Sequence, residues 1–137
     1  MSQLKTVLVL CTGNSCRSIM AEALLNHYGA GRIEAVSAGS FPTGQVHPMS
    51  LATLKAHGIP TEGYSSKSWN MFASTKLDAV ITVCDNAAGE SCPVFPGAPV
   101  KAHWGVPDPA HAHGAEAEGE AEFNRVFIML EKRVMAL

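Results

Sequence analysis

The chain has no dominant sign of charge, no apolar run of membrane-spanning length and only four cysteines in 137 residues. A formal charge of −2 gives no basic field for nucleic acid and no acidic tail, so any bound anion must be held by local geometry. The apolar run Thr6-Val7-Leu8-Val9-Leu10 is too short for a signal-peptide core or a membrane span. A cytoplasmic protein with neither nucleic acid nor membrane as partner is therefore expected. Cysteines in that compartment stay reduced, which argues against structural disulfides and leaves packed thiols, metal ligands or redox and nucleophilic groups. What is present suits one globular domain, 1–137: hydrophobic residues reach 47%, and glycine and proline are scattered through the chain. No internal repeat, linker or second domain is visible.

Residues 6 to 10 predict a strand buried on both faces, as in a parallel sheet. After a polar stretch, Ile19, Met20, Ala23, Leu24 and His27 recur at helical spacing until Gly29 and Gly31 stop them. Ile33 to Ser37 reads as a second strand. Pro48 opens a helix that closes before Gly58, and a shorter one is expected between Ser66 and Ala73. Leu77 to Val83 is the third strand. Asp85 to Pro99, rich in glycine and proline, reads as a long functional loop. Val100 to Trp104 is the fourth strand. Phe123, Val126, Phe127, Leu130 and Val134 form one apolar stripe of a C-terminal helix, whose acidic start, Glu116 to Glu122, suits a helix N-terminus. Alternating strands and helices imply an α/β sandwich with a parallel sheet. Ligands in such sheets bind beyond the carboxyl ends of the strands. Cys11, Ser37, Cys84 and the segment from Trp104 to Asp108 should therefore share one rim.

The segment Cys11-Thr12-Gly13-Asn14-Ser15-Cys16-Arg17-Ser18 lies between a strand and a helix. Such a loop turns successive N–H groups inward, and the helix N-terminus adds partial positive charge. Gly13 and Asn14 tolerate the positive φ that the curl needs. Arg17 offers a planar fork to two oxygens of one anion. The same surroundings favour a thiolate at Cys11, and Ser18 is placed to donate to it. The Gly-Lys-Ser/Thr of a nucleotide P-loop is absent. With cysteine at its head, the loop positions the anion's central atom for attack. Cys16, one turn on, reads as a small packed residue.

These residues carry a resemblance. The loop followed by Met20-Ala21-Glu22, then Ser37-Ala38-Gly39, Thr82-Val83-Cys84 with Cys92-Pro93, and His103-Trp104-Gly105 with Asp108-Pro109-Ala110, resembles the arsenate reductases of the low-molecular-weight protein tyrosine phosphatase fold. The resemblance spans essentially the whole chain. It implies a single three-layer α/β sandwich with a four-stranded parallel sheet. It also implies that Cys11 attacks arsenic, that Asp108 serves as general acid, and that Cys84 and then Cys92 relay the resulting disulfide. The loop, Thr12 to Ser18, would bind arsenate or phosphate. No bound cofactor is implied; an external thiol reductant, thioredoxin or glutathione with glutaredoxin, would restore the enzyme.

Three positions depart from the family pattern. The gap from Cys84 to Cys92 is one residue longer than in the thioredoxin-coupled members, which leaves the reductant open. Pro107 stands where a second acidic residue is common. Lys67 stands where some members have an aspartate that helps bind potassium beside Asn14, Glu22 and Ser37. An ammonium there would substitute for the ion, so no metal is expected. The alternative activity is phosphate monoester hydrolysis through a phosphocysteine at Cys11, although Ala110 and His111 stand where such phosphatases place aromatic residues. A zinc site built from the cysteines with His103, His111 and His113 is disfavoured by the wide Cys84–Cys92 spacing, and these histidines read as solvent-facing.

Overall fold

The computed structural model describes residues 5–11, 13–14, 16–29, 31–61, 63–72, 75–83, 100–106 and 116–136, with side chains of the last segment described from 121. Valine and leucine fill β1 (Lys5–Cys11), which is flanked by β2 (Ile33–Gly39) and β3 (Ala79–Thr82); β4 (Val100–His103) closes the sheet in the order β2-β1-β3-β4. Every pairing is parallel, as the alternation of elements requires. The period of two along a strand then sorts β1 onto two faces. Val7, Val9 and Cys11 join one apolar cluster, while Leu8 and Leu10 join the other with Ala38, Leu77 and Val80.

The first cluster takes in three helices: α1 (Arg17–Tyr28), α2 (Pro48–Ala56) through Leu54, and α3 (Glu116–Met135). The α3 stripe is buried as its spacing predicts, at Phe123, Val126, Phe127, Leu130 and Val134. Helix α2 begins with Pro48 behind a His47 cap whose ring nitrogen accepts from Met49 N–H at 3.1 Å. It ends as Gly58 adopts φ 74° and Ile59 N–H reaches back to Leu54 O at 3.0 Å, a glycine-terminated stop. The His57 ring stacks on Phe127 with centroids 4.0 Å apart, tying α2 to α3. On the second face, Trp69 and Phe72 pack against the cluster of Leu8 and Leu10.

Three elements are shorter than their sequence pattern, the fourth strand by one residue, since it ends at His103. The helix expected between Ser66 and Ala73 is a single 3₁₀ turn, Trp69–Phe72. Its preceding residues are extended instead, and Ser68 bridges Gly39 in parallel. The third strand spans Ala79–Thr82 because Asp78 replaces ladder pairing at its start, its carboxylate accepting from Thr6 N–H at 2.8 Å. Helix α1 is buried from Arg17 through Leu25, more completely than a one-sided apolar pattern implies. The sheet lies on one side of it and α3 on another.

Gly29 ends α1 where the chain turns back into β2. A Cβ there would lie 2.6 Å from Leu25 O and 2.9 Å from Ile33 Cβ, so glycine is required by close packing of the turn on β2. Gly29→Ala should destabilise the fold by about 1–3 kcal/mol through this overpacking. Urea titration of the purified variant measures it.

Candidate active site

The carboxyl ends of the strands are level. Cys11 pairs with Gly39, and Leu10 with Thr82, which in turn pairs with His103. Cys11 thus arrives at the rim with its side chain on the α1 side of the sheet. The residue is 2% exposed. Asn14 N–H donates to its sulfur at 3.2 Å, and Ser18 Oγ lies 3.0 Å from it. Asn14 holds φ 49°, the left-handed conformation expected of an anion-cradling curl. Ser18 belongs to the first turn of α1, so the helix N-terminus and the sulfur face one point.

The loop is braced from outside. Ser66 Oγ donates to Gly13 O at 3.0 Å, Thr43 N–H to the same oxygen at 3.0 Å, and Ser40 N–H to Cys11 O at 3.2 Å. Lys67 N–H donates to Asn14 Oδ1 at 2.9 Å. Asn14 Nδ2 donates to Ser18 Oγ at 2.7 Å and to Ser37 Oγ at 2.9 Å, and Ser37 Oγ donates to Glu22 Oε1 at 2.5 Å. Glu22 lies one helical turn beyond Ser18, on the same side of α1. Its carboxyl is held above the ordinary value chiefly by burial, an effect opposed by the Ser37 hydrogen bond and the Lys67 charge. Burial lowers the Lys67 ammonium, and Glu22 opposes that shift.

Arg17 is buried beside this network. Its Nη1 donates to Val83 O at 3.4 Å and Val106 O at 3.3 Å. Those carbonyls belong to the segments leaving β3 and β4. Val83 immediately precedes Cys84 and Val106 lies two residues before Asp108 in the sequence. These two contacts fix the guanidinium between the exits of β3 and β4.

Known proteins resemble this chain in sequence and fold. The model of the low molecular weight phosphotyrosine protein phosphatase family matches residues 6–137. The chain belongs to that family. The arsenate reductase of Halalkalibacterium halodurans is 38% identical over 130 residues, 95% of this chain and 92% of that relative. A solved arsenate reductase in the phosphate binding state superposes with a TM-score of 0.79 at 28% identity, covering 96% of this chain and 95% of that one. The thioredoxin-dependent arsenate reductase of Corynebacterium glutamicum gives a TM-score of 0.64 at 28% identity, over 98% of this chain and 64% of its own. The four-stranded α/β architecture is therefore the family fold.

Of the residues singled out from the sequence, the structure brings together Cys11, Gly13, Asn14, Arg17 and Ser18. Cys16 caps the start of α1 and is buried in the main core cluster, matching its reading as a packed residue. Thr12, Ser15, Cys84, Cys92 and Asp108 lie outside the described residues, as do His111 and His113. His103 is an exposed residue of β4 whose Nδ1 lies 2.7 Å from Thr82 Oγ1. Ser66 and Thr43 were not recognisable from the sequence as supports of the loop. The only local sign was the polar run Ser65-Ser66-Lys67-Ser68, which reads as loop.

The residues at the place where some family members bind potassium do not fit that ion. Lys67 Nζ lies 4.0 Å from Glu22 Oε1 and donates to Ser65 O at 2.8 Å. A cation of the chain's own already faces the carboxylate. Asn14 Oδ1 is engaged by Lys67 N–H, and Ser37 Oγ by both Asn14 and Glu22.

The raised Glu22 carboxyl has a consequence for stability. The folded state binds this proton more tightly than the unfolded chain, so its contribution is full below the ordinary carboxylate range and declines as pH rises through the raised value. Glu22→Gln removes that decline. The melting temperature of the variant minus that of the wild type should become more positive between roughly pH 4 and 7.5. Thermal scans across that range measure it; a difference that falls with pH would mean that Lys67 and Ser37 outweigh burial.

Proposed function

We propose that this protein is a single-domain cytoplasmic enzyme that reduces arsenate to arsenite by a thiol relay beginning at Cys11. The observation that carries it is the convergence on the Cys11 sulfur of Asn14 N–H and Ser18 Oγ, beside an Arg17 anchored to the two strand exits that lead to Cys84 and Asp108. Support also comes from relatives named arsenate reductase over most of the chain.

In this mechanism the loop and Arg17 bind the oxyanion. The Cys11 thiolate forms a sulfur–arsenic bond, and Asp108 protonates the arsenic oxygen that leaves as water. Cys84 then attacks the Cys11 sulfur. The electron pair of the sulfur–arsenic bond passes to arsenic, which leaves as arsenite, and a Cys11–Cys84 disulfide remains. Two electrons have moved from two thiolates to arsenic. Cys92 attacks Cys84, frees Cys11 and forms the Cys84–Cys92 disulfide. An external dithiol reduces that bond. Thioredoxin is the first candidate because it serves the structurally similar enzyme of Corynebacterium glutamicum; glutathione with glutaredoxin is the other.

The test couples NADPH oxidation to arsenate in each reductase system. Wild type should turn over repeatedly with one of them, and Cys11→Ser should not. Cys84→Ser should fall by at least about 10²-fold, since no second thiol completes the electron transfer. Sustained turnover by that variant with any thiol would refute the relay. Mass mapping after one turnover should find Cys11 joined to Cys84, or Cys84 to Cys92. Weak hydrolysis of a small aryl phosphate is also expected, because the same loop would hold phosphate. A rate on phosphotyrosine peptide far above that on arsenate would assign the protein to the phosphatases instead.

Within the loop, Ser18→Ala removes the hydroxyl at the sulfur. It should lower kcat/KM roughly tenfold, the effect of one hydrogen bond to a charged group, in both arsenate reduction and aryl phosphate hydrolysis.

A further inference from the structure

The hydrogen bonds from Lys67 to Cys11 have only one consistent direction. A main-chain N–H donates and never accepts, so Asn14 must turn its oxygen to Lys67. Its amide hydrogens then go to Ser18 and Ser37. Each serine oxygen accepts one of them and directs its own proton onward, Ser18 toward the Cys11 sulfur and Ser37 toward Glu22. Both ends of the network therefore accept. One end is a nucleophilic sulfur and the other a carboxylate, an arrangement suited to two anions.

A carboxylate so enclosed needs a cation close by. Glu22 and Lys67 side chains are 12% and 17% exposed, with Lys67 Nζ 4.0 Å from Glu22 Oε1. Lys67 is fixed at three places: its N–H on Asn14, its Nζ on Ser65 O, and its carbonyl accepting from Gly39 N–H at 2.9 Å. The same residue orients Asn14 through its backbone and faces Glu22 with its charge. This joint placement is what a freely exchanging ion cannot supply.

We propose that Lys67 is a positioning residue acting as a built-in monovalent cation: its ammonium balances Glu22 so that Ser37 and Asn14 hold the Cys11 loop ready for attack without a bound potassium ion. This rests on Cys11 as the nucleophile of an oxyanion loop, but its structural part can be read without arsenate. Removing the ammonium leaves Glu22 facing the loop without its counter-charge. A potassium ion then has a place to enter, with the carboxylate as its principal ligand.

The test compares wild type, Lys67→Met, Lys67→Arg and Glu22→Gln/Lys67→Met in potassium chloride and choline chloride at equal ionic strength. Melting temperature is measured first, then kcat and KM for arsenate and for an aryl phosphate. Wild type should melt at the same temperature and show the same KM in both salts. Lys67→Met should melt lower in choline, with KM for both oxyanion substrates raised roughly tenfold, and should recover with potassium. Lys67→Arg should behave as wild type. The double variant, lacking both charges, should lose the potassium response. A potassium-dependent melt in wild type would overturn the proposal, as would Lys67→Met indistinguishable from wild type in choline. If Lys67→Met does not fold, the salt response of the wild type and of the double variant decides. Failure of arsenate turnover with the melting pattern intact would count against the reductase reading and leave the role of Lys67 standing.

Discussion

Asn14 sits at φ 49° with its carboxamide fully enclosed, and the N–H of Lys67 leaves its oxygen one direction to face. Everything else at the site depends on that orientation. With the amide hydrogens committed to Ser18 and Ser37, the Ser18 proton is available to the sulfur and the Ser37 proton to Glu22. Reversing the carboxamide would set its nitrogen against another donor and leave two serine oxygens facing its oxygen. The loop thus has a single low-energy hydrogen-bond pattern. A backbone in the left-handed region is sustained by surroundings that over-determine it, here including braces on Gly13 from Ser66 and Thr43.

The polar network lies inside a helix–sheet interface. Arg17, Ser18 and Glu22 are buried on the first turns of α1, while Met20, Ala21, Ala23, Leu24 and Leu25 join the main apolar cluster. Among the described residues, no buried side-chain nitrogen or oxygen lacks a hydrogen-bond partner. Burial therefore serves the chemistry. It removes competing water from the hydrogen bonds at the Cys11 sulfur, beside the N-terminus of α1.

The parallel sheet, its rim and the Cys11 loop were legible in the sequence because each is a local pattern. Valine-rich runs mark the strands, and Cys11, Asn14, Arg17 and Ser18 fall within one strand-to-helix turn. The C-terminal helix announced itself through a stripe whose members Phe123, Val126, Phe127 and Leu130 are buried together. Three features left weaker traces. The bond from Ser66 to Gly13 joins residues 53 apart in the chain, and no spacing rule links them. The 3₁₀ turn at Trp69–Phe72 comes after an extended segment tied to Gly39, so tertiary pairing overrode local helical preference. Arg17 binds main-chain oxygens of Val83 and Val106, groups that every residue type possesses. The family resemblance had associated Asn14, Glu22, Ser37 and position 67; the directions of their hydrogen bonds emerged only from the coordinates.

That last anchorage has an evolutionary consequence. Because the contacts of Arg17 with positions 83 and 106 run through main-chain oxygens, the side chains there can change without breaking these two bonds, provided the backbone keeps its course. What the two tethers require of positions 83 and 106 is a main-chain path and not a residue type.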